Sequence, residues 1–175
     1  DMIKRRNRLA KTPVLLAEEG KRGVGELAKV LGLAEPPHVI ECYDISNISG
    51  THAVASGVCA VDGRPAGQRY RRYRIRTVEG SDDPAMMAEV LRRRFRPGAP
   101  AGELPDLVVV DGGLTQLRAT QDALAELGHP DFPVIGLATR FEEIYTGSST
   151  LATPVRLPRD SAALRVLQQL RDEAH

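Results

Sequence analysis

The sequence predicts an α/β domain whose core is a mixed five-stranded sheet flanked by helices. Three strand-like segments follow one another with short turns, two apolar runs come later, and amphipathic segments alternate with those runs. A near-continuous apolar run is typical of a strand that is covered on both faces. Three antiparallel strands joined to two such strand–helix units therefore predict one mixed sheet with helices on its faces.

The composition fits one domain with a small appendage and argues against several classes of protein. The 175 residues are 42% hydrophobic, enough for a core, but only 4% aromatic with no Trp, which disfavours a base-stacking single-strand platform. The net charge is only +1, so any basic surface must be local. No apolar run approaches the ~20 residues of a membrane span, and the start, DMIKRRNRLA, lacks the apolar core of a signal peptide.

Cysteine usage and the chain ends predict a cytoplasmic fragment. Cys42 and Cys59 lie in apolar, strand-like runs and form no CxxC pair, so we expect reduced core residues rather than a zinc site. The chain begins at an Asp and stops at His175 within a helical pattern. We therefore expect a piece of a longer protein, monomeric by itself and without a membrane partner.

The first 35 residues predict a helical segment or linker that precedes the main domain. Residues 1–12 are polar and basic, as in a solvated helix or linker, and residues 14–33 have helical spacing. The apolar points of that spacing are Leu15, Leu16, Leu27, Val30 and Leu31, and the glycines that interrupt them are Gly20, Gly23 and Gly25. The Pro36-Pro37 pair forces extended chain, so the predicted main domain covers residues 36–175.

Three strands open the main domain as an antiparallel meander. They are predicted at residues 38–46, 53–61 and 68–76. The Asp62-Gly63 pair marks the second turn. In the third strand the period of two places Arg71, Tyr73 and Ile75 on one face and Tyr70, Arg72, Arg74 and Arg76 on the other.

Helices and strands alternate in the rest of the chain. Pro84 opens a helix whose apolar stripe ends at Phe95, and the later elements are a strand at 106–111, a helix at 114–127 and a strand at 133–138. Residues 141–158 predict either irregular chain or a hairpin, and Asp160 or Ser161 caps a last helix. The resulting order, β-β-β-α-β-α-β-α, is that of an RNase H-like domain.

Two acidic residues lie near the carboxyl ends of predicted strands. A lone carboxylate cannot be buried without a partner, so Asp44 either caps a turn with Ser46 and Asn47 or faces a cation, while Asp111 ends the strand at 106–111. Open α/β sheets bind ligands at this edge. Two carboxylates placed there would raise each other's pKa unless a divalent cation lay between them, and oxygen ligands favour Mg²⁺ or Mn²⁺.

The last helix offers a third member of such a site. By a count of about 100° per residue, His175 lies at the margin of the apolar stripe, and Asp172 and Glu173 compete with it. A histidine there is a semi-exposed polar residue, a metal ligand or a general base with a pKa near neutrality. The pair of Asp44 and Asp111 favours a site role for His175, and the sequence leaves the choice between ligand and base open.

Arginines are concentrated in residues 64–96. This segment holds ten arginines against four acidic residues, a net charge of +6. Arg72, Arg74 and Arg76 predict a track for phosphate groups, and Arg93 on the following helix is a further candidate for nucleic-acid contact. The alternative is a solvated edge strand whose charges prevent aggregation. The chain has no GxGxxG, Walker or GxSxG pattern, so nucleotide binding and a serine nucleophile are not indicated.

Nine short motifs together resemble one protein family. In chain order they are IECYDISN, VASGVCAVDG, YRRYRI, VLRRRF, PDLVVVDGG, VIGLA, EEIY, RLPRDS and RDEAH. Their order and approximate spacing resemble the C-terminal nuclease half of the UvrC family, the bacterial nucleotide-excision-repair endonuclease subunits. The resemblance spans about residues 27–175.

The resemblance implies an RNase H-like fold, a divalent metal, and hydrolysis of the damaged strand of double-stranded DNA on the 5′ side of a lesion, with the DNA handed over by UvrB. It maps the Asp-Asp-His triad of the family onto Asp44, Asp111 and His175. The GIY-YIG nuclease that makes the 3′ incision and the helix-hairpin-helix pair of the family have no counterpart in this sequence.

The chain departs from the family pattern at two places. Leu114-Thr115 stands where the family usually has Lys-Gly, and Thr139, Arg140 and Phe141 follow VIGLA where the family tends to be basic. The favoured hypothesis is a metal-dependent DNA endonuclease domain. The alternatives are a non-catalytic DNA-binding or scaffold domain that retains the fold, and a different RNase H-like enzyme such as a hybrid nuclease or Holliday-junction resolvase.

Overall fold

The computed structural model describes residues 2–48, 52–78, 80, 82–99, 103–138, 143–146 and 154–175, with the backbone alone at 2–12, 47–48 and 52. Within these residues the α-helices are α1 (Met2–Leu31), α2 (Asp83–Phe95), α3 (Leu114–Glu126) and α4 (Ala162–Ala174). The strands are β1 (Val39–Ile48), β2 (His52–Val61), β3 (Arg64–Pro65), β4 (Arg71–Arg74), β5 (Leu107–Asp111), β6 (Val134–Leu137), β7 (Glu143–Thr146) and β8 (Val155–Arg156). No helix in this described part is long and apolar enough to cross a membrane.

The strands form one mixed sheet with the order β3-β2-β1-β5-β6-β7-β8, and β4 also pairs with β2. β1 is antiparallel to β2 and parallel to β5, and β5 is parallel to β6. The predicted mixed α/β sheet is confirmed, and its five predicted strands correspond to β1, β2, β4, β5 and β6. The hairpin alternative for residues 141–158 is confirmed for β7 and β8, which pair antiparallel; residues 141–142 and 147–153 lie outside the described residues.

Two hydrophobic clusters fill the two faces of the sheet. Side chains alternate along β1, so Ile40 and Cys42 pack with residues of α1 and α4, whereas Tyr43 packs with residues of α2 and α3. The predicted apolar stripe of α2 and that of α4 are buried. We refer to the two sides of the sheet as the α4 face and the α2–α3 face.

Helix α1 begins earlier than the predicted helix at 14–33, and its glycines are points of close approach. Leu27 is buried as predicted, but Leu15 and Val30, predicted apolar points, are exposed. A Cβ atom added at Gly20 would lie 2.7 Å from the carbonyl oxygen of Asp62, in the turn between β2 and β3. Glycine is therefore required where α1 crosses this turn. In the sequence pattern, the same glycine looked like an interruption of the helix.

Two predicted strand boundaries are wrong. β1 continues through Ser46 and Asn47, whose backbones pair with Val54 and Ala53 of β2, so these residues do not start a turn after Asp44. The predicted strand at 68–76 shortens to β4, because a 3₁₀ turn occupies Gly67–Arg69 and beyond β4 the Ile75 N–H still donates to the Ala53 carbonyl of β2 at 3.0 Å. After β4, the backbone N–H groups of Arg76 and Thr77 donate to the Glu89 carboxylate instead of a neighbouring strand.

Candidate metal centre

The register of the central parallel strands brings Asp44 and Asp111 together. Tyr43 of β1 pairs with Val110 of β5 as the last aligned pair of the ladder. The next residues along the two strands are Asp44 and Asp111. Since aligned residues of parallel strands point to the same side, both carboxylates lie on the α4 face, at the carboxyl ends of the paired segments. This is the edge at which open α/β sheets bind ligands.

A close backbone approach fixes the turn that follows Asp111. A Cβ atom added at Gly136 of β6 would lie 2.9 Å from the carbonyl oxygen of Gly112. Gly136 therefore allows the turn between β5 and α3 to pack over β6. The backbone N–H of Gly112 also donates to the carbonyl of Leu137 at 3.0 Å, which holds this turn beside the site.

Helix α4 carries His175 to the two carboxylates. Ser161 caps the helix by accepting a hydrogen bond from the Leu164 N–H at 3.1 Å, so one of the two predicted caps is confirmed. At the other end, Nδ1 of His175 lies 2.8 Å from Oδ2 of Asp44, and Nε2 lies 3.8 Å from Oδ2 of Asp111. The imidazole is largely exposed while both carboxylates are mostly buried, so the cluster is reached from its histidine side.

The three side chains form a compact donor set. One ligand atom from each of Asp44, Asp111 and His175 can be chosen so that all lie within 4.8 Å of one another. The structure thus brings together the three residues that the sequence proposed. The competing acids are both exposed, and Glu173 instead accepts a hydrogen bond from the Tyr70 hydroxyl at 3.0 Å.

Burial and mutual repulsion shape the electrostatics of this cluster. The pKa of Asp44 is raised from 3.8 to about 6, mainly by burial and then by the negative charge of Asp111. The charges of His175 and Arg171 oppose this rise. A carboxylate pair of this kind is stabilised by a cation placed between its oxygens. Two carboxylates and an imidazole fit Mg²⁺ or Mn²⁺, because hard oxygen ligands suit both ions and imidazole is common at transition-metal sites.

The neighbouring thiol does not belong to the donor set. Cys42 lies two residues before Asp44 on the same face of β1 and is fully buried. Burial, with the adjacent Asp111 and Asp44 charges, raises the pKa of the Cys42 thiol far above its usual range. The sulfur therefore stays protonated, as expected for a reduced core cysteine, and Cys59 is likewise buried and free.

Arg171 is a site residue that the sequence analysis missed. It lies one helical turn before His175 and is only 9% exposed. Its Nε lies 3.5 Å from Oδ1 of Asp111, and its guanidinium donates to the carbonyl of Ala138 at 3.3 Å, just after β6. Arg171 therefore holds one oxygen of Asp111 and leaves the other toward His175. In the sequence, Arg171 could have been noticed as an arginine one helical turn before His175.

The predicted nucleic-acid-binding arginines lie in three different places. Arg72 and Arg74 of β4 are exposed and lie on the α4 face, because their paired residues on β2, Ser56 and Val54, lie on that face. Arg76 is exposed but follows the end of β4.

Arg93 lies on the opposite side of the sheet. Its guanidinium stacks over the Tyr73 ring at 5.3 Å, donates to the Arg74 carbonyl at 2.6 Å and pairs with Glu89 at 3.5 Å. Arg93 therefore supports the backbone of β4.

The first family departure also has a structural counterpart. Leu114 begins α3 and is half-buried against the cluster on the α2–α3 face, while Thr115 is exposed. The other departure falls on Thr139, Arg140 and Phe141, which lie outside the described residues.

A mixed sheet with two central parallel strands, each carrying a carboxylate just after the last residue pair of their parallel ladder, and a helix that adds a histidine define an RNase H-like α/β domain with a candidate metal centre. Residues 28–175 match the sequence model of the family described as the UvrC RNAse H endonuclease domain, and the chain belongs to that family.

Curated relatives support the same assignment. The chain is 48% identical to the UvrABC system protein C of Gloeobacter violaceus over 161 residues, which cover 89% of this chain and 25% of the relative. It is 49% identical to the protein of the same name from Synechococcus sp. strain JA-2-3B'a(2-13) over 164 residues, or 91% of this chain and 26% of the relative. The chain thus spans about a quarter of the length of these relatives.

Similarity to solved structures is weaker. Endonuclease V of Ciona intestinalis, solved as its D234N variant with a DNA that contains inosine, gives a TM-score of 0.42 at 16% identity over 97% of this chain and 69% of that chain. Human ENDOV gives a TM-score of 0.38 at 16% identity over 95% of this chain and 96% of that chain.

Proposed function

We propose that this chain is the metal-dependent DNA endonuclease domain that makes the 5′ incision beside a lesion in bacterial nucleotide excision repair. In this proposal the longer protein that contains it receives damaged double-stranded DNA from UvrB. One observation carries the proposal: Asp44, Asp111 and His175 converge within 4.8 Å in a chain of the UvrC RNase H endonuclease domain family.

The carboxylates have a defined role in this hydrolysis. Asp44 and Asp111 would hold Mg²⁺ or Mn²⁺, which when bound polarises a phosphoryl oxygen, lowers the pKa of a water and stabilises the leaving 3′-oxygen. Arg171 holds Oδ1 of Asp111, so it orients that carboxylate and offsets part of the negative charge of the pair. Its burial keeps this charge in place beside the reacting phosphate.

His175 either completes the donor set or acts as the general base. Its ring faces both carboxylates while most of the side chain is open to solvent. Nδ1 of the ring lies 2.8 Å from Oδ2 of Asp44, and this contact orients the imidazole. The exposed arginines of β4 on the same face supply positive charge for the DNA backbone.

The test is incision of a lesion-containing duplex by the full-length protein with UvrB and Mg²⁺ or Mn²⁺. Asp44→Asn should abolish the 5′ cut while the 3′ cut persists, because only one of the two nuclease centres loses a ligand. Arg71→Gln is the control, since Arg71 is exposed on the α2–α3 side of β4. Unchanged 5′ cutting by the Asp44→Asn protein would contradict the assignment of the 5′ incision to this domain and favour a non-catalytic scaffold.

A further inference from the structure

The α4 face of the sheet stays open beside the candidate metal centre. Helix α4 packs over Cys42, Val58 and Ala60 on this face and is followed by His175, whose ring contacts Asp44. Farther along β1, β2 and β4, the residues on the same face are half-buried or exposed in the described part of the chain; they are Ser46, Val54, Ser56, Arg72 and Arg74. A solvent-accessible strip of sheet therefore begins at the site and leads toward β4.

The strand register lines up three side chains across this strip. Asp44 of β1 pairs with Ser56 of β2, and Ser56 pairs with Arg72 of β4. Directly paired residues in antiparallel strands point to the same face, so Asp44, Ser56 and Arg72 form one transverse row. Neighbouring strands are about 4.8 Å apart, which puts the Cα atom of Arg72 about 10 Å from that of Asp44.

The outer part of this row presents hydrogen-bond donors without an acidic partner. No hydrogen bond or ion pair engages the side chains of Ser56, Arg72 or Arg74 among the described residues. Other arginines of the same segment are paired, as Arg94 is with Glu41 at 3.0 Å. The backbone of β4 is nevertheless held firmly, because the Arg93 guanidinium donates to the Arg74 carbonyl.

We infer that Ser56 and Arg72 form a subsite for a phosphate group of the nucleic-acid strand near the phosphate that is cut at Asp44 and Asp111. This inference rests on the proposed function. Arginine presents a planar fork of donors that matches a phosphate, and the serine hydroxyl adds a further donor. Because a DNA strand rises about 3.4 Å per nucleotide, a separation of about 10 Å places this phosphate within about three nucleotides of the cut.

A matched pair of variants distinguishes a phosphate contact at the subsite from a general effect of positive charge on β4. Arg72→Gln and Arg71→Gln remove the same charge from adjacent exposed residues of β4, but Arg71 pairs with Gly57 and lies on the other face. Binding of labelled duplex DNA to the 175-residue chain is measured by fluorescence anisotropy at several salt concentrations, without metal, after circular dichroism confirms folding.

Arg72→Gln should weaken binding about fivefold and reduce the slope of log K against log salt by about one, as expected for one lost phosphate contact. Arg71→Gln should leave the affinity within about twofold, and Arg72→Lys should retain the slope because it retains the charge. Ser56→Ala should weaken binding about twofold and leave the slope unchanged. Equal losses for Arg71→Gln and Arg72→Gln would overturn the inference and indicate a solvated, generally basic edge strand.

The position of the subsite is tested with single neutral methylphosphonate linkages on either side of the 5′ cut, in the incision reaction of the full-length protein with UvrB. For the wild-type protein, one neutral linkage within about three nucleotides of the cut should slow incision, and Arg72→Gln should be insensitive to that linkage alone. Incision that survives Asp44→Asn counts against the proposed function. If incision depends on Asp44 but the Arg72→Gln protein responds to every linkage as the wild type does, only the proposed subsite is overturned.

Discussion

The Nδ1 atom of His175 lies 2.8 Å from Oδ2 of Asp44, which joins an exposed ring at the end of α4 to a largely buried carboxylate in the centre of the sheet. Nε2 of the same ring lies 3.8 Å from Oδ2 of Asp111, so the imidazole and the two carboxylates share one small space. Without a cation, this arrangement concentrates negative charge in a poorly solvated region. The cluster therefore costs stability in the metal-free state, and that cost depends on pH.

Substitution of Asp44 by Asn should stabilise the metal-free protein at pH 8. The pKa of Asp44 is about 6 in the folded chain against an ordinary 3.8, so the folded state binds more protons than the unfolded state between these values. Stability therefore falls as pH rises through this window and stays lower above it. Since one pKa unit corresponds to about 1.4 kcal/mol, Asn should add up to about 3 kcal/mol at pH 8 and almost nothing below pH 4.

Urea unfolding in EDTA at pH 4 and pH 8 measures this difference. Asp122→Asn is a suitable control, because Asp122 is exposed on α3, away from the site. A gain for Asp44→Asn that is the same at both pH values would show that the carboxylate is not responsible for the cost.

A divalent cation should offset the stability cost of the carboxylate pair in the wild type. Mn²⁺ or Mg²⁺ binds the folded state with its carboxylates in place, so at about 100 times the dissociation constant it stabilises the wild type by about 2.7 kcal/mol. Asp44→Asn and Asp111→Asn each remove a ligand and should lose most of this gain. Thermal unfolding with increasing Mn²⁺ measures the effect, and Arg72→Gln should respond like the wild type. An equal shift in all four proteins would place the bound ion elsewhere.

Replacement of Arg171 by Met should raise the pKa of Asp44 further. The guanidinium charge favours the ionised form of Asp44, although burial and Asp111 dominate the shift. Met fills a similar volume without charge, whereas Lys retains the charge and should leave the pKa of Asp44 near its wild-type value. A pH titration of ¹³C-labelled aspartate side chains measures the difference. Identical titrations of the Met and Lys variants would show that Arg171 acts by packing alone.

The same Met variant should also lose about 2 kcal/mol of stability at neutral pH, because Asp111 loses its ion pair and the Ala138 carbonyl loses a charged hydrogen-bond donor. Urea unfolding at pH 7 checks this loss against that of the Lys variant.

The two central strands of the fold could be predicted because two apolar runs of the sequence each lead to an aspartate. The apolar runs that end at Asp44 and Asp111 are neighbouring parallel strands, and the amphipathic pattern of the last helix leads to His175. Both features follow from which residues are buried and how they are spaced, and the order of apolar and polar residues in the sequence shows this. Their meeting point then follows from the direction of parallel strands.

Other boundaries depend on partners that the local sequence does not reveal. Ser46 and Asn47 have turn-forming side chains, yet their backbone groups pair with β2, so the strand continues. The two-face pattern of residues 70–76 suggests a long strand, but the Glu89 carboxylate binds the N–H groups of Arg76 and Thr77 and ends it. Arg171 was missed because a buried arginine is recognised only by the carboxylate it faces.

Two glycines of α1 have opposite environments only two residues apart. A Cβ atom at Gly23 would lie 2.6 Å from Cγ2 of Val166 and 2.7 Å from the carbonyl oxygen of Ala162, both on α4. A Cβ atom at Gly25 would have no neighbour within 4 Å. Helical propensity favours alanine at both positions by about 1 kcal/mol, so the difference between the two substitutions reports the contact of α1 with α4.

Gly25→Ala should therefore stabilise the protein by about 0.5–1 kcal/mol. Gly23→Ala should destabilise it by about 1–2 kcal/mol, because the methyl group pushes α4 away and overpacking costs more than the helix gains. Urea unfolding of both variants measures the contrast. Because α4 also carries His175, Gly23→Ala should in addition weaken the Mn²⁺-induced stabilisation, whereas Gly25→Ala should preserve it. Stabilisation by both substitutions would mean that α1 does not press on α4 at Gly23, and that the position of His175 is independent of this helix.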